Sequence, residues 1–154
     1  MARRLASGFA DQHEEHAVSR QCVRLIRRLY ADFQRGDLAG LLEALDPAVE
    51  WTEPPELPYG GTFRGPAAVG DFLRTFAVHY EAFAVEAEQM LDAGDHVVVL
   101  GRYRGRAVGG RDFEAPFAHV WQLGPDGQVV RYQDYTDKAG KAFGRPAARS
   151  GESG

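Results

Sequence analysis

The sequence predicts one α+β domain, in which three helices come first and a curved antiparallel sheet wraps around them. Apolar residues recur at helical spacing as far as Tyr80, and four segments with strand-like alternation follow. A chain of 154 residues, 44 % hydrophobic and 26 % charged, is long enough for one core and has little room for a second. Because helices and strands are segregated along the chain, we expect a sheet with helices on one face.

Three helices are predicted in the first half of the chain. The first follows Ser19, which can cap it. The second runs over Leu38–Leu45 and ends before Asp46-Pro47. The third begins at Pro66, a residue suited to the first helical position, and presents one apolar side as far as Tyr80.

The strands are predicted from alternating segments bounded by turn residues. A short strand, Val49–Thr52, precedes a loop over Glu53–Gly65 that is rich in proline and glycine. The four later strands are predicted over Phe83–Leu91, His96–Arg106, Asp112–Leu123 and Gln128–Thr136. Such a meander around helices makes a cone with an apolar mouth, where we expect a pocket for a small apolar molecule.

The ends of the chain are predicted to lie outside this domain, which we place at residues 18–143. Residues 1–17 lack sustained periodicity and are expected to form a loosely held arm. Residues 144–154 have the composition of a disordered tail. The segment Leu5–Glu15 is polar and acidic, so we expect no signal peptide and a cytoplasmic location.

Composition also argues against several classes of partner. A net charge of −4 argues against general nucleic-acid affinity, and no stretch is long and apolar enough for a membrane span. The single cysteine, Cys22, excludes an intramolecular disulfide and a cysteine-based zinc site. The five histidines lie in different predicted elements, so we expect no metal site; they are His13, His16, His79, His96 and His119.

One strand places a histidine among aromatic residues. Alternation along Asp112–Leu123 puts Phe117, His119 and Trp121 on the apolar face, toward the helices. On the last strand both faces are mixed, so the pattern alone does not decide where Asp134 points. If it points inward, a carboxyl with a raised pKa lies beside an imidazole, and such a pair can move protons near neutral pH.

Structural explanations for the same residues stay open. A histidine on an apolar strand face is more often a hydrogen-bonded core residue than a catalyst. Asp134 can pair with Arg131 or Arg102, and Glu53 can be a solvated loop residue. Arg102 also belongs to a row of alternating arginines that forms either an anion site or the solvated face of its strand.

The chain resembles the NTF2-like domains, specifically the SnoaL-like and ketosteroid-isomerase-related branch. The resemblance spans about Ser19–Phe143 and rests on the segments Gly36–Leu38, Val49–Pro54, Tyr59–Pro66 and Asp126–Asp137. It implies the cone-shaped fold described above. It does not by itself imply one activity, since one fold can carry many functions.

Comparison with ketosteroid isomerases assigns two of the site residues. Glu53 corresponds to their base carboxylate, and His119 corresponds to their oxyanion donor. Leu29 stands at the position of their helical tyrosine, with Tyr30 adjacent, so steroid isomerisation itself is not what the resemblance implies.

Two other branches resemble the last strand. The segment Tyr132–Asp137 is similar to the limonene-epoxide hydrolases, which makes Asp134 the matching acid–base carboxylate. Their Arg-x-Asp pair corresponds to Arg102 and Arg104, so the second carboxylate is lost and epoxide hydrolysis is not implied. SnoaL-like polyketide cyclases use a histidine and an aspartate on the last two strands, as His119 and Asp134 would be here.

These observations predict a cofactor-independent enzyme that transfers a proton on a small apolar carbonyl or polycyclic molecule. Asp134 is expected to act as acid–base, with His119 orienting the substrate oxygen or sharing the proton, and Glu53 as a second base at the pocket mouth. The expected substrate-binding residues are Tyr30, Trp51, Tyr59, Arg102, Phe117, Trp121 and Tyr132. The alternative is a non-catalytic ligand-binding or assembly domain. In either case we expect a homodimer formed through the outer sheet face.

Overall fold

Helices and strands follow one another in the predicted order, and the α+β class is confirmed. The computed structural model describes residues 20–136, so the predicted arm and tail lie outside the described residues. The elements are α1 (20–35), α2 (Leu38–Glu43), β1 (Leu45–Glu53), β2 (Gly61–Arg64), α3 (Pro66–Thr75), a 3₁₀ helix (Phe76–His79), β3 (Tyr80–Ala93), β4 (His96–Ala107), β5 (Asp112–Leu123) and β6 (Val129–Thr136). No helix within 20–136 is both long and apolar enough to span a membrane.

The six strands form one curved sheet in the order β2-β1-β6-β5-β4-β3. Neighbouring strands are antiparallel except for β1 and β6, which are parallel. The last strand, β6, therefore lies between β1 and β5. At the centre of the sheet, strands from the first and the second half of the chain are neighbours. This position brings the end of β1 beside the end of β6, where the candidate carboxyls lie.

The core lies between the helices and the inner face of the sheet. Ile26 and Leu29 of α1 are fully buried, as is Val69 of α3. They pack against the inward residues of the sheet, among them Val97 and Val99 of β4. Burying a side chain of this size contributes roughly 1.5–3 kcal/mol, so this face holds the helices on the sheet.

Two predicted boundaries near the start of the sheet are wrong. The second helix ends at Glu43, and Leu45 begins β1, so Asp46-Pro47 lies inside a strand. The strand accommodates Pro47 because its pairing with β6 shifts register between Leu45 and Glu50, where no ladder hydrogen bond is needed from the proline nitrogen.

Two further differences concern the region around the third helix. The predicted loop over Glu53–Gly65 contains the short strand β2, which pairs with β1. The α-helix ends at Thr75, and a 3₁₀ turn leads into β3, so Tyr80 is a strand residue. Apolar spacing alone did not distinguish the end of the helix from the inward residues that follow it.

Gly101 of β4 has no room for a side chain, because the backbone of β3 lies close to it. A Cβ atom at this position would lie 2.0 Å from the backbone oxygen of Glu86 and 2.7 Å from the ring of Phe117. We therefore expect Gly101→Ala to destabilise the fold by about 1–3 kcal/mol, because backbone must move to accommodate the methyl group. Denaturant unfolding measures this loss, and an unchanged midpoint would contradict the close approach.

Candidate functional site

A cavity lies between α1, α3 and the inner face of the sheet. Its lining is mostly aromatic and aliphatic: Leu29, Tyr30, Phe33, Leu41, Trp51, Glu53, Tyr59, Phe72, Leu73, Phe76, Phe83, Val85, Tyr103, His119, Trp121 and Tyr132. Its free volume is about 70 Å³. An engineered cavity that binds benzene measures about 150 Å³, so a larger ligand would require the walls to move.

His119 lies on the inner face of β5, as strand alternation predicts, and it is 3 % exposed. Both ring nitrogens have partners: Nδ1 is 2.5 Å from the hydroxyl of Tyr30, and Nε2 is 2.5 Å from the hydroxyl of Tyr103. Phe117 stacks on the imidazole at 3.8 Å between ring centres. Packing and two hydrogen bonds therefore hold the ring in one orientation.

Asp134 points inward on β6, which resolves the question that the sequence pattern leaves open. It is 4 % exposed and lies directly opposite His119 in the antiparallel pairing. The two side chains are not directly hydrogen-bonded, since Nε2 and Oδ1 are 3.5 Å apart. The hydroxyl of Tyr103 bridges them and donates to Oδ2 of Asp134 at 2.5 Å.

These contacts form a continuous series of hydrogen bonds, which we call the polar chain: Tyr30, His119, Tyr103 and Asp134. At the far end, Trp121 Nε1 donates to the hydroxyl of Tyr30 at 3.0 Å. Desolvation lowers the pKa of His119 well below its ordinary value, so the ring is neutral. A neutral imidazole has one donor and one acceptor nitrogen, so each of its bonds has a definite direction.

The groups at the two ends determine that direction. An indole N–H can only donate, and a carboxylate can only accept. With Asp134 ionised, Tyr103 donates to it and accepts from His119 Nε2–H, so Nδ1 accepts the hydrogen of Tyr30. Every group of the polar chain is then satisfied with a single hydrogen per bond.

Glu53 lies beside Asp134 because β1 and β6 run parallel. Their register pairs Trp51 with Tyr132 and Thr52 with Gln133, so the next pair along is Glu53 and Asp134. Glu53 is 6 % exposed, which rules out the solvated loop position, and it accepts a hydrogen bond from Trp51 Nε1 at 2.7 Å.

The two carboxyls share a proton. Desolvation, followed by the charge of Asp134, raises the pKa of Glu53 well above its ordinary value, and Glu53 hydrogen-bonds Asp134. Oδ1 of Asp134 is buried and has no hydrogen-bond partner among the other groups of residues 20–136. Like charges this close cannot both ionise easily.

Burial places the titration of Asp134 near neutrality. Desolvation raises its pKa to about 7, although the hydrogen bonds from Tyr103 and Glu53 act in the opposite direction. A carboxyl with this pKa is ionised in part of the molecules at neutral pH, so it can both accept and return a proton. General acid–base catalysis requires a group of this kind.

Asp134 does not line the cavity directly. It lies, with Glu53, along an outer groove that also contains Glu56, Gln133 and Tyr135. The cavity wall at this point consists of Glu53, Tyr103 and His119, which stand between the interior space and Asp134. The carboxyl pair therefore separates an aromatic interior from a more polar exterior.

Six of the predicted substrate-binding residues surround this polar chain or lie in contact with it. They are Tyr30, Trp51, Tyr59, Phe117, Trp121 and Tyr132, of which all but Phe117 line the cavity. Trp51 and Tyr132 stack at 3.9 Å between ring centres, and both contact Trp121 edge-on. The hydroxyl of Tyr59 bonds that of Tyr80 at 2.5 Å, apart from the polar chain.

Arg102 is the predicted site residue that the structure places elsewhere. Its guanidinium lies on the outer face of β4, where it pairs with Glu114 and, at 3.5 Å, with Glu88. Arg104 on the same face pairs with Glu86 and Glu114. The row of arginines is therefore the solvated face of the strand, and neither residue corresponds to an interior Arg-x-Asp pair.

Tyr103 is the functional candidate that the sequence interpretation missed. It lies between Arg102 and Arg104, so strand alternation places it inward once the arginines are assigned to the outer face. Tyr30 likewise supplies the helical hydroxyl in the cavity, whereas Leu29 is part of the apolar core. Tyr103 could have been found by applying alternation to β4, whereas Tyr30 was already among the predicted substrate-binding residues.

No cluster of three or more His, Cys, Asp or Glu side chains with metal-binding geometry occurs within the described part of the chain. The polar chain is built from two tyrosines, one neutral imidazole and the carboxyl of Asp134, beside which lies Glu53. Such a set provides hydrogen-bond donors and one titrating acceptor at the edge of an aromatic cavity.

The fold and the site define a cone-shaped α+β domain of the NTF2-like class with a buried polar chain. The model of the SnoaL-like domain matches residues 26–132. The chain belongs to the family of SnoaL-like domains. No curated protein matches it.

Solved structures agree with this assignment. An NTF2-like protein of unknown function from Burkholderia pseudomallei is 35 % identical, with a TM-score of 0.73, over 80 % of this chain and 95 % of that one. An NTF2-like protein from Burkholderia thailandensis is 29 % identical, with a TM-score of 0.74, over 81 % and 98 %. TerC, co-crystallised with polyporic acid, is 28 % identical, with a TM-score of 0.71, over 80 % and 95 %.

Proposed function

We propose that this domain is an acid–base enzyme that transfers a proton on a small, largely apolar carbonyl compound. The observation that carries the proposal is the polar chain, which ends in a buried carboxyl titrating near pH 7 at the edge of an aromatic cavity. Asp134 holds the proton, His119 shares it through its hydrogen bonds, and Glu53 keeps the second carboxyl proton.

Features of the cavity support the substrate class. Its walls are aromatic and aliphatic apart from the hydroxyls, the imidazole and Glu53, so an apolar ring with one oxygen matches its polarity. A relative, TerC, has been co-crystallised with an organic acid, polyporic acid. Because the cavity is small, a monocyclic ketone needs less wall movement than a polycyclic one, and we propose the former as the first class to test.

The experiment follows hydrogen–deuterium exchange next to a carbonyl group. Monocyclic ketones that bind, such as cyclohexanone or cyclopentanone, are selected by line broadening and then incubated with the protein in D₂O. Loss of the α-proton signal measures proton abstraction directly. We expect the rate to rise through about pH 7 and then level off, because Asp134 must be ionised to accept the proton.

The rival function is a non-catalytic domain that only binds the ligand. It predicts binding without any exchange above the buffer blank at every pH, and this result would contradict the enzyme proposal.

The homodimer through the outer sheet face and the cytoplasmic location stay predictions. The outer face of β3–β5 carries paired charges of both signs, which is compatible with a self-complementary contact.

A further inference from the structure

Asp134 is separated from the space that a substrate would occupy. The residues that line the cavity include Tyr30, Tyr103 and His119, whereas Asp134 lies along the outer groove. A proton transferred between substrate and Asp134 must therefore cross the intervening residues. The polar chain is the continuous hydrogen-bonded route between them.

We propose that the polar chain is a proton relay, in which Tyr30 exchanges the proton with the substrate and Asp134 stores it. The inference rests on the proposed function and extends it. It makes Tyr30 a catalytic residue and gives His119 a role as a carrier whose tautomer changes.

The relay moves one proton with every bond accounted for. The substrate loses a hydrogen to the oxygen of Tyr30, whose own hydrogen passes to Nδ1 of His119. The hydrogen on Nε2 then passes to the oxygen of Tyr103, and the hydroxyl hydrogen of Tyr103 passes to Asp134. Both tyrosines end neutral, the imidazole ends neutral as its other tautomer, and the negative charge moves from Asp134 to the substrate.

The arriving proton is directed to one oxygen of Asp134. Oδ2 accepts the hydrogen bond from Tyr103, whereas Oδ1 has no such donor within residues 20–136. The relay therefore delivers to Oδ2, and Glu53, which hydrogen-bonds Asp134, acts as a positioning residue. In the protonated state Asp134 donates back to Tyr103, and every bond of the chain reverses.

Reversal changes what Tyr30 presents to the cavity. With Nδ1 of His119 now protonated and donating, the oxygen of Tyr30 accepts from both His119 and Trp121. Its hydroxyl hydrogen is then free to point into the cavity, toward a carbonyl oxygen of the substrate. When Asp134 is ionised, the polar chain can therefore accept a proton from the substrate at Tyr30. When Asp134 is protonated, the polar chain can donate a proton to the substrate there.

The surroundings of Asp134 make this switch depend on pH. The titratable groups that face it are Tyr30 from α1, Glu53 from β1, Glu56 and Tyr59 from the loop after β1, Tyr80 from β3, Tyr103 from β4, His119 from β5 and Tyr132 from its own strand. Burial raises the pKa of Tyr30 and Tyr103 well above the ordinary value, so both stay neutral hydroxyls. Asp134 is the group that changes charge near pH 7.

The tautomer of His119 gives a test that requires no substrate. Nitrogen-15 NMR distinguishes a protonated from an unprotonated ring nitrogen, and the spectrum of His119→Gln assigns the signals. In the wild-type protein we expect Nε2–H above pH 7 and Nδ1–H at pH 5 to 6. The same tautomer at both pH values would overturn the relay, and the switch itself is read in the wild-type protein.

Two matched variants locate the switch. Tyr103→Phe removes the bridge, so we expect one tautomer of His119 at all pH values. Tyr135→Phe removes a hydroxyl from the outer face of β6, where the side chain is 53 % exposed, so it should switch as the wild-type protein does. Switching in Tyr103→Phe equal to that of the wild type would also overturn the relay.

Exchange kinetics separate a failed relay from a failed function. We expect Tyr30→Phe to lower ketone exchange at least tenfold and Tyr135→Phe to lower it less than threefold. Full exchange in Tyr30→Phe would reject the relay while leaving the enzyme proposal in place. If the tautomer of His119 switches with pH but the protein exchanges no bound ketone, the enzyme proposal is rejected. The pH-dependent reversal of the polar chain is then still supported.

Discussion

Replacing Asp134 with asparagine is expected to lower ketone exchange by about 10²–10⁴-fold, the usual contribution of a general acid–base group. Asparagine has nearly the same shape as aspartate. Its amide oxygen can accept from Tyr103, and its NH₂ group can donate to Glu53, so both neighbours stay hydrogen-bonded although Glu53 then accepts instead of donating. It cannot take up a proton, and therefore the chemical step alone is lost.

The affinity for the bound ketone separates catalysis from binding in this variant. We expect the dissociation constant, measured by NMR titration, to change less than about threefold, or under 1 kcal/mol. Tyr135→Phe is the matched control, because Tyr135 is the next residue of β6, points to the outer face and is 53 % exposed. Equal exchange in Asp134→Asn and the wild type would remove Asp134 from the mechanism.

The same substitution should make the protein more stable at neutral and alkaline pH. The pKa of Asp134 is about 7 in the folded protein against an ordinary value of 3.8. The folded state therefore binds this proton more tightly, and its stabilising contribution is lost as pH rises from about 4 to about 7. A shift of this size corresponds to about 4 kcal/mol.

Denaturant unfolding at pH 5, 6, 7 and 8 measures this effect as a difference between the two proteins. The lowered pKa of His119 weakens both proteins at acid pH, since the unfolded chain then binds the extra proton, so its contribution largely cancels. We expect the difference in unfolding free energy to move in favour of Asp134→Asn up to about pH 8. If the curves of unfolding free energy against pH are parallel for the two proteins, the pKa of Asp134 is not raised in the folded state.

An exposed carboxyl supplies the control for this measurement. Arg106 lowers the pKa of Asp112 through a hydrogen bond and its charge, and Asp112 lies at the surface. Its stabilising contribution is present above its unfolded pKa and is lost only at more acid pH. Asp112→Asn should therefore change stability by the same amount at pH 5 and pH 8.

Much of the fold could be predicted because helical and strand periods are local properties of the chain. Alternation on β5 correctly put His119 inward between Phe117 and Trp121, and turn residues marked the ends of the long strands. The same rule left Asp134 undecided, because side chains on β6 are mixed on both faces and its pairing with β5 shifts register after Gln122.

The connections within the site depended on packing between distant segments. Tyr103 meets His119 and Asp134 only because β4, β5 and β6 pair in this register, and Tyr30 reaches Nδ1 only because α1 lies at this rotation on the sheet. Neither the register nor the rotation follows from a period of two or 3.6 residues. The sequence interpretation considered the alternating arginines only as a possible anion site or a solvated face. It therefore did not consider Tyr103, which lies between Arg102 and Arg104 and points inward.

By itself, the sequence determined the order of helices and strands, the aromatic interior and the inward face of His119, because these depend on spacing along one segment. Only the tertiary structure decided that Glu53 and Asp134 share a proton and that tyrosines connect Asp134 to the cavity. The parallel pairing of β1 with β6 brings together two carboxyls 81 positions apart and removes both from water. Their ionisation is therefore a property of the folded interior, since desolvation and the neighbouring charge set the pKa values.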